Sequence, residues 1–338
     1  MKKKKISIAD IAKATGVSTT TVSFVINKKA KNNVSTAVIE KVEKYIKEIG
    51  YKPNLLAKGL RTGKTNIIVF MVEDISDRFF SSIARLMEEK AYKNGYKLIF
   101  CSTENDTERS RELLTLFKDR QVDGFIITPP VGFEEEVKTL IEEKIPVVLF
   151  DRYFEDIEVS HVVIDNMESM FKSVNSVFGK GCRNVAFITT DSKQSQMMGR
   201  LSGYEKAVRQ HGAPRLVKEI PFFGVKEKSA VEEIQSFLDA NPGLDGMVFS
   251  TNYLTKAGLK VLKNNKISIP GDMAVLSFDD DELFELYTPT ISALSQPVES
   301  IADKLMESLL KQLNGKAEKD AIIQTELMGS LIERESTG

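Results

Sequence analysis

Eight short apolar runs punctuate this chain: "IIVFMV" (67–72), "KLIFC" (97–101), "GFIIT" (124–128), "PVVLF" (146–150), "HVVI" (161–164), "NVAFIT" (184–189), "GMVFS" (246–250) and "AVLSF" (274–278). Amphipathic stretches separate most of them, for example Ser82–Asn94, Thr107–Arg120 and Met167–Phe178. A strand that is apolar on both faces has to be covered on both faces. Alternation with helices therefore predicts parallel, doubly wound sheets, an α/β class. Eight such strands exceed one compact domain, so two lobes are expected. Doubly wound sheets bind ligands at the carboxyl ends of their strands, and two lobes create a cleft there.

The first fifty residues follow a different pattern. Ile8, Ile11 and Ala12 are spaced for one face of a helix, Gly16 permits a tight turn, and Ser18 is a good cap for a second helix. Ser35 is placed to cap a third, on which Val38, Ile39, Val42, Ile46 and Ile49 share a face that stops at Gly50. Pro53 then ends helicity. Residues 1–62 hold 14 Lys and Arg against four acids, a net of +10, in a chain whose total is -1; the remainder therefore carries -11. A basic segment on an acidic body is suited to a polyanion, either nucleic acid or an anionic membrane surface. Lys2 to Lys5 serve as a solvated arm or as phosphate contacts.

No apolar stretch follows those lysines as a signal peptide requires, and no segment approaches the ~20 apolar residues of a membrane span. Cys101 and Cys182 suit a reduced compartment. A cytoplasmic protein without membrane partners is expected.

Residues 7–26 meet the requirements of a helix-turn-helix: a first helix, a tight turn, and a second helix exposed at its N-terminal end. Val17, Val22 and Val25 are expected to face the core, leaving Thr19, Thr20, Ser23 and Phe24 outward. Threonine hydroxyls can bond base edges or phosphates, and a methyl or an aromatic ring can contact a thymine methyl.

The stretches "ISIADIAKATGVSTTTVSFVIN" and "VSTAVIEKVEKYIKEIGYKPNLLAKGL" resemble the headpiece and hinge of the lactose/galactose repressor (LacI/GalR) family. The likeness continues through "DISDRFF", "GYKLIFCST", "QVDGFIITPP", "PVVLFDR", "GRLSGYEKAV" and "FDDDELFELYTPTISALSQP", in the family's order. It implies a homodimeric transcriptional regulator on a pseudo-palindromic double-stranded DNA operator, and an effector domain of the periplasmic-binding-protein type. The DNA contacts it implies are Ser7, Ser18, Thr19, Thr20, Thr21, Ser23, Phe24, Asn27, Asn54, Lys58 and Leu60. Asn54 to Leu60 resembles a hinge helix that folds on DNA and inserts Leu60 as a wedge, an exchange of unstacking for bent DNA. Phe24 departs from the family, which commonly has arginine there. Either it packs against the headpiece or it offers an apolar contact to thymine.

For the cleft, the resemblance points to Asp74, Phe79, Phe80, Asp151, Arg152, Gln194, Arg200, Phe223, Asn252, Tyr253 and Asp279. Tyr253 stands where the family often has aspartate. Carboxylates, an arginine, an amide and aromatic faces suit a sugar or sugar derivative; a nucleobase or a phosphorylated metabolite remains open, as does a sugar sensor without DNA activity. The boundaries expected are a headpiece at 1–50, a hinge at 51–64 and an effector and dimerisation domain at 65–338. Its N-lobe would span about 65–162 and 291–322, and its C-lobe about 163–290 and 323–338, with crossings near 162, 290 and 322.

Enzymatic readings find no support. Gly63-Lys64-Thr65 ends like a phosphate-binding loop, but position 58 is lysine and a strand follows. His161 and His211 are too far apart for a local metal motif. No catalytic residue, metal site or cofactor is expected.

Overall fold

The computed structural model describes residues 6–27, 30, 34–51, 64–222, 227–315 and 322–338. The chain divides into two compact units, Met1–Thr65 and Asn66–Gly338.

The first unit holds α1 (Ile8–Thr15), α2 (Thr19–Ile26) and α3 (Thr36–Glu48). Ser7 and Asp10 close a reciprocal capping box at the start of α1, and Gly16 ends it in the left-handed conformation, φ 67°. Ser18 Oγ accepts from the Thr21 amide and so caps α2. Ser35 occupies the cap position of α3, but its side chain makes no capping bond. Ile11, Ala12, Val22, Val25, Ala30 and Val42 form the core, with Val17, Val38, Ile39, Ile46 and Ile49 half-buried against it.

The second unit is built on two six-stranded sheets. The first contains β1 (Ile67–Val72), β2 (Lys97–Ser102), β3 (Gly124–Ile127), β4 (Val147–Phe150), β5 (His161–Ile164) and β11 (Gln324–Leu327), in the order β11-β5-β4-β3-β1-β2, all parallel. The second contains β6 (Val185–Thr190), β7 (Leu216–Ile220), β8 (Gly246–Phe249), β9 (Ala274–Phe278), β10 (Ser292–Ser295) and β12 (Ser330–Ile332), in the order β12-β10-β9-β8-β6-β7. Only β12 runs antiparallel to its neighbour among these pairs. Helices α4 (Arg78–Lys93), α5 (Thr107–Asp119) and α6 (Glu134–Glu142) belong to the first lobe; α7 (Asn166–Gly179), α8 (Ser195–His211), α9 (Glu227–Ala240), α10 (Asn252–Asn264) and α11 (Glu282–Leu286) belong to the second. α12 (Val298–Leu313) packs on α4 and on β3, β4 and β5.

All eight expected strands are present. Four more, β7, β10, β11 and β12, are not apolar runs: "LVKEI" and "QTEL" lie on or next to solvent, where polar residues cost nothing. These extra strands move the lobe crossings. Ser292–Ser295 pairs with β9 in the second sheet, so the chain returns to the first lobe near 296 instead of 290. Gln324–Leu327 pairs with β5 in the first sheet, so the last crossing lies near 328 instead of 322. The first crossing follows β5, near 165. Among the described residues no helix is long and apolar enough to cross a membrane.

Candidate functional site

Two regions bring the predicted residues together: the outer face of α2 in the first unit and a cleft between the two lobes of the second.

On α2, Thr19 and Thr20 are exposed, as expected, in the first turn of a helix whose N-terminal amides favour a phosphate. Ser18 is exposed but occupied, capping Thr21 and sharing a 2.9 Å hydroxyl contact with it. Ser7 is likewise engaged, its Oγ donating to Asp10 at 2.6 Å. Asn27 donates through Nδ2 to the Ser23 carbonyl at 2.7 Å, which fastens the end of α2. Ser23 and Phe24 are half-buried instead of fully outward, and Phe24 packs against the headpiece core. The reason is geometric: an eight-residue helix buried along Val22 and Val25 leaves the positions beside that stripe half covered. Asn54, Lys58 and Leu60 lie outside the described residues.

The cleft is a cavity of about 290 Å³. Nine of the residues singled out in the sequence line it: Asp74, Phe79, Phe80, Asp151, Gln194, Arg200, Asn252, Tyr253 and Asp279. Asp151 directly follows β4 and Asp279 directly follows β9, corresponding ends of the two sheets. Both have left-handed backbones, φ 68° and 69°, a conformation aspartate tolerates at some cost. The same device in each lobe turns a carboxylate into the cleft.

Arg200, 3% exposed, lines the same cavity. Its Nε donates to Asn166 Oδ1 at 2.9 Å and its Nη1 to the Ser250 carbonyl at 2.7 Å. Nη1 lies 3.6 Å from Asp279 Oδ2, and the guanidinium sits 3.6 Å over the Phe278 ring. Gln296 Nε2 donates to Asp279 Oδ1 at 2.6 Å. Burial pushes the carboxyls of Asp151 and Asp279 above the ordinary range, against the pull of Arg152 and Arg200 on the first and of Arg200 and the Gln296 bond on the second. Burial also raises Asp77, which caps α4 by accepting from the Phe79 amide at 2.8 Å.

Other predicted residues take more structural roles. Asp74 accepts from the Ser76 amide and hydroxyl, both at 2.8 Å, while its flank faces the cavity. Phe80 is mostly core, edge-on to Phe150, whereas Phe79 is half-buried at the cleft wall. Arg152 does not line the cleft. Its Nη2 is held by Glu73 at 3.0 Å and Asn105 at 2.8 Å, and it faces a separate 110 Å³ cavity with Pro129 and Pro130. One residue beyond Asp151, its side chain turns to the opposite side. Phe223 lies outside the described residues; Phe222 lines the cleft.

Gln196, which the resemblance also suggests beside Gln194, lines the cleft, and the structure adds Glu73, Ser76, Asp77, Met197, Thr251 and Gln296. Glu73, immediately after β1, had the same strand-end signal as Asp151; Gln296 follows β10, whose sequence is no apolar run, and so had none. Contacts also cross from lobe to lobe: Arg78 pairs with Glu282, Gln194 Nε2 donates to Asn105 at 3.4 Å, and the Tyr153 amide donates to Ser195 Oγ at 3.3 Å. A wider depression of about 960 Å³ shares Asp151 and Gln196 with the cleft but lacks Arg200 and Asp279.

His161 is buried in β5, its ring stacked 4.4 Å from Tyr153, and His211 at the end of α8 stacks on Phe178 at 4.5 Å. Neither faces the cleft.

Comparison with known proteins finds matches over both units. Residues 7–54 match the profile of bacterial regulatory proteins of the lacI family, and residues 174–337 that of a periplasmic binding protein-like domain. The HTH-type transcriptional regulator RegA of Clostridium saccharobutylicum is 33% identical over 335 residues, spanning 98% of this chain and 99% of that protein. A sucrose operon repressor of Lactococcus lactis subsp. lactis is 30% identical over 311 residues, 92% of this chain and 94% of its own. In fold, the chain is similar to the lac repressor dimer bound to operator and the anti-inducer ONPF, with a TM-score of 0.85 and 19% identity over 99% of each chain.

Proposed function

Because the chain belongs to the lacI family of bacterial regulatory proteins, and is thereby a DNA-binding transcriptional regulator and not an enzyme, we propose that it is a cytoplasmic, homodimeric repressor of carbohydrate uptake or utilisation genes. Its α2 face reads one half-site of a pseudo-palindromic operator, with Thr19 and Thr20 as base-reading contacts. Its cleft binds a small sugar-like effector through Asp151, Arg200, Asn252 and Asp279. The observation that carries the effector half is that Asp151 from one lobe and Asp279 from the other line the same cavity as the buried Arg200, which stands 3.6 Å from Asp279. A ligand bonded to both aspartates links the lobes, which is how occupancy can alter the spacing of two headpieces. A relative named as a sucrose operon repressor supports the carbohydrate reading.

The test is fluorescence anisotropy with palindromic DNA libraries at a stated salt concentration, since phosphate contacts dominate affinity. Binding that selects one palindrome, and shifts when a sugar is added, is the expected result. A selected palindrome whose affinity no cleft ligand alters would refute the effector scheme; the absence of any selected sequence would refute the operator scheme.

A further inference from the structure

We propose that this cleft excludes negative charge: its effector is a sugar whose hydroxyls donate to the cleft carboxylates and which carries neither phosphate nor carboxylate. The inference rests on reading the cleft as the effector site.

Among the described residues that line the cavity, five are carboxylates (Glu73, Asp74, Asp77, Asp151 and Asp279), and the one guanidinium or ammonium is that of Arg200. Arg200 is poorly placed to recruit an anion. Nε is committed to Asn166 and Nη1 to the Ser250 carbonyl, Asp279 stands 3.6 Å from Nη1, and the Phe278 ring covers one face. Of the five N–H donors one on Nε and one on Nη1 are spent, and Asp279 already offsets the charge at the Nη1 end, so an anion meets a partly neutralised guanidinium. Arg152, the other buried guanidinium nearby, faces a different cavity and is paired with Glu73. Arg152 offsets Glu73 and stands 3.9 Å from Asp151, and Lys256 acts on Asp77, yet the five lining carboxylates still outnumber Arg200, Arg152 and Lys256 together.

The acceptors point the same way. The nearest cation to Asp151 is Arg152 Nε, at 3.9 Å, and among the described residues no donor bonds its carboxylate. Gln196 Oε1 is buried without a hydrogen-bond partner beside the same cavity. Buried acceptors of this kind are costly unless a ligand supplies donors. A sugar hydroxyl is both donor and acceptor, so it can satisfy Asp151, Asp279 and Gln196 together. A phosphate monoester or a carboxylate presents only acceptors to them at neutral pH and adds like-charge repulsion. Phe79, Phe222 and Tyr253 on the walls supply apolar and aromatic surface for the C–H face of a sugar ring.

The experiment uses the full chain in matched sets followed by thermal shift and titration calorimetry: glucose with glucose 6-phosphate and glucuronate, fructose with its 1- and 6-phosphates, ribose with ribose 5-phosphate, and sucrose with sucrose 6-phosphate. In a separate arm, inorganic phosphate replaces chloride at constant ionic strength. The expected result is that an uncharged member binds, that its charged counterpart binds about 100-fold more weakly, and that phosphate gives no Arg200-dependent shift. In Asp77→Asn/Asp279→Asn the gap between neutral and charged members should narrow to about tenfold. A charged member that binds more tightly than its neutral counterpart, or a stabilisation by phosphate that Arg200→Met removes, overturns the charge exclusion. If that charged member also shifts operator affinity, the effector reading survives and only this inference is lost; silence from every member overturns both.

Discussion

Asp151 and Asp279 are held in strained backbone with carboxyls raised by burial, a cost that a purely structural aspartate would have no reason to bear. Replacing Asp151 by asparagine keeps the shape, suits the left-handed conformation better and removes the buried charge. Asp151→Asn should therefore raise the stability of the ligand-free protein by about 0.5–2 kcal/mol. It should weaken effector binding at least about tenfold, because a charged acceptor is lost. The sign with pH follows from the direction of the shift. A carboxyl raised above its unfolded value of about 3.9 stays protonated longer in the folded state, so its ionisation destabilises the fold. The variant's advantage should be smallest below that value, grow as pH rises towards the raised folded value, and stay constant above it. Thermal melts of both proteins from acid to neutral pH check this; a wild type more stable than Asp151→Asn at neutral pH would sink it. The strand-end aspartates were legible in the sequence because a polar residue after an apolar run marks the carboxyl edge of a sheet. Asp77 was less so, since a helix cap gives the same signal whether or not it also faces a ligand. Phe24 shows a further limit. Its half-buried ring belongs partly to the headpiece core, and the sequence had left open packing or base contact. Phe24→Arg should change base preference at one symmetric pair of operator positions; an unchanged binding profile assigns the ring to packing alone.

Among the elements, the α7 and α8 pair decides where Arg200 sits. Gly199 and Gly203 occupy one face of α8, four residues apart, against the start of α7. A Cβ on Gly203 would fall 2.3 Å from the Met167 carbonyl oxygen, and one on Gly199 3.0 Å from the Asn166 Cβ. This close approach brings Arg200 Nε onto Asn166 Oδ1. Gly203→Ala must push the two helices apart, at a cost of about 1–3 kcal/mol by analogy with overpacked cores. Because Arg200 moves with α8, effector affinity should fall more than a stability loss alone explains, and calorimetry at a temperature where the variant remains folded separates the two. Unaltered affinity in a destabilised variant would show that the helix contact has no bearing on the cleft. Of these elements, α7 was legible from its periodicity, and the eight central strands from their continuous apolar character. The other four were not: β7, β11 and β12 lie at sheet edges and carry polar residues, and β10, though buried, reads Ser-Ala-Leu-Ser and is no apolar run. The second and third crossings depend on β10 and β11, which is why the lobes were expected but these two boundaries were displaced.

For the whole molecule, the proposed function requires cleft occupancy and operator binding to be coupled, typically by ~1–3 kcal/mol, and equally in both directions. Operator DNA must then change effector affinity by the same factor that effector changes operator affinity. The contacts that join the lobes, including the pair between Arg78 and Glu282, are the ones an opening motion would break. That pair is solvent-exposed, so its loss should alter effector affinity by only a few-fold and more at low salt. Coupling to DNA also needs two headpieces on one operator. β2, at the edge of the first sheet, leaves Ile99 38% and Phe100 46% exposed, and Tyr92 on the neighbouring α4 is 69% exposed. An uncovered apolar edge invites aggregation unless a partner covers it. A second copy of the chain is the partner that the proposed function supplies. Phe100→Glu should convert the dimer to a monomer in analytical ultracentrifugation while each chain stays folded and still binds effector. Operator affinity should then drop by about 10²–10⁴, because the second half-site no longer gains from linkage to the first. A Phe100→Glu protein that sediments as a dimer and binds operator normally would move the interface to another face and remove β2 from the coupling path.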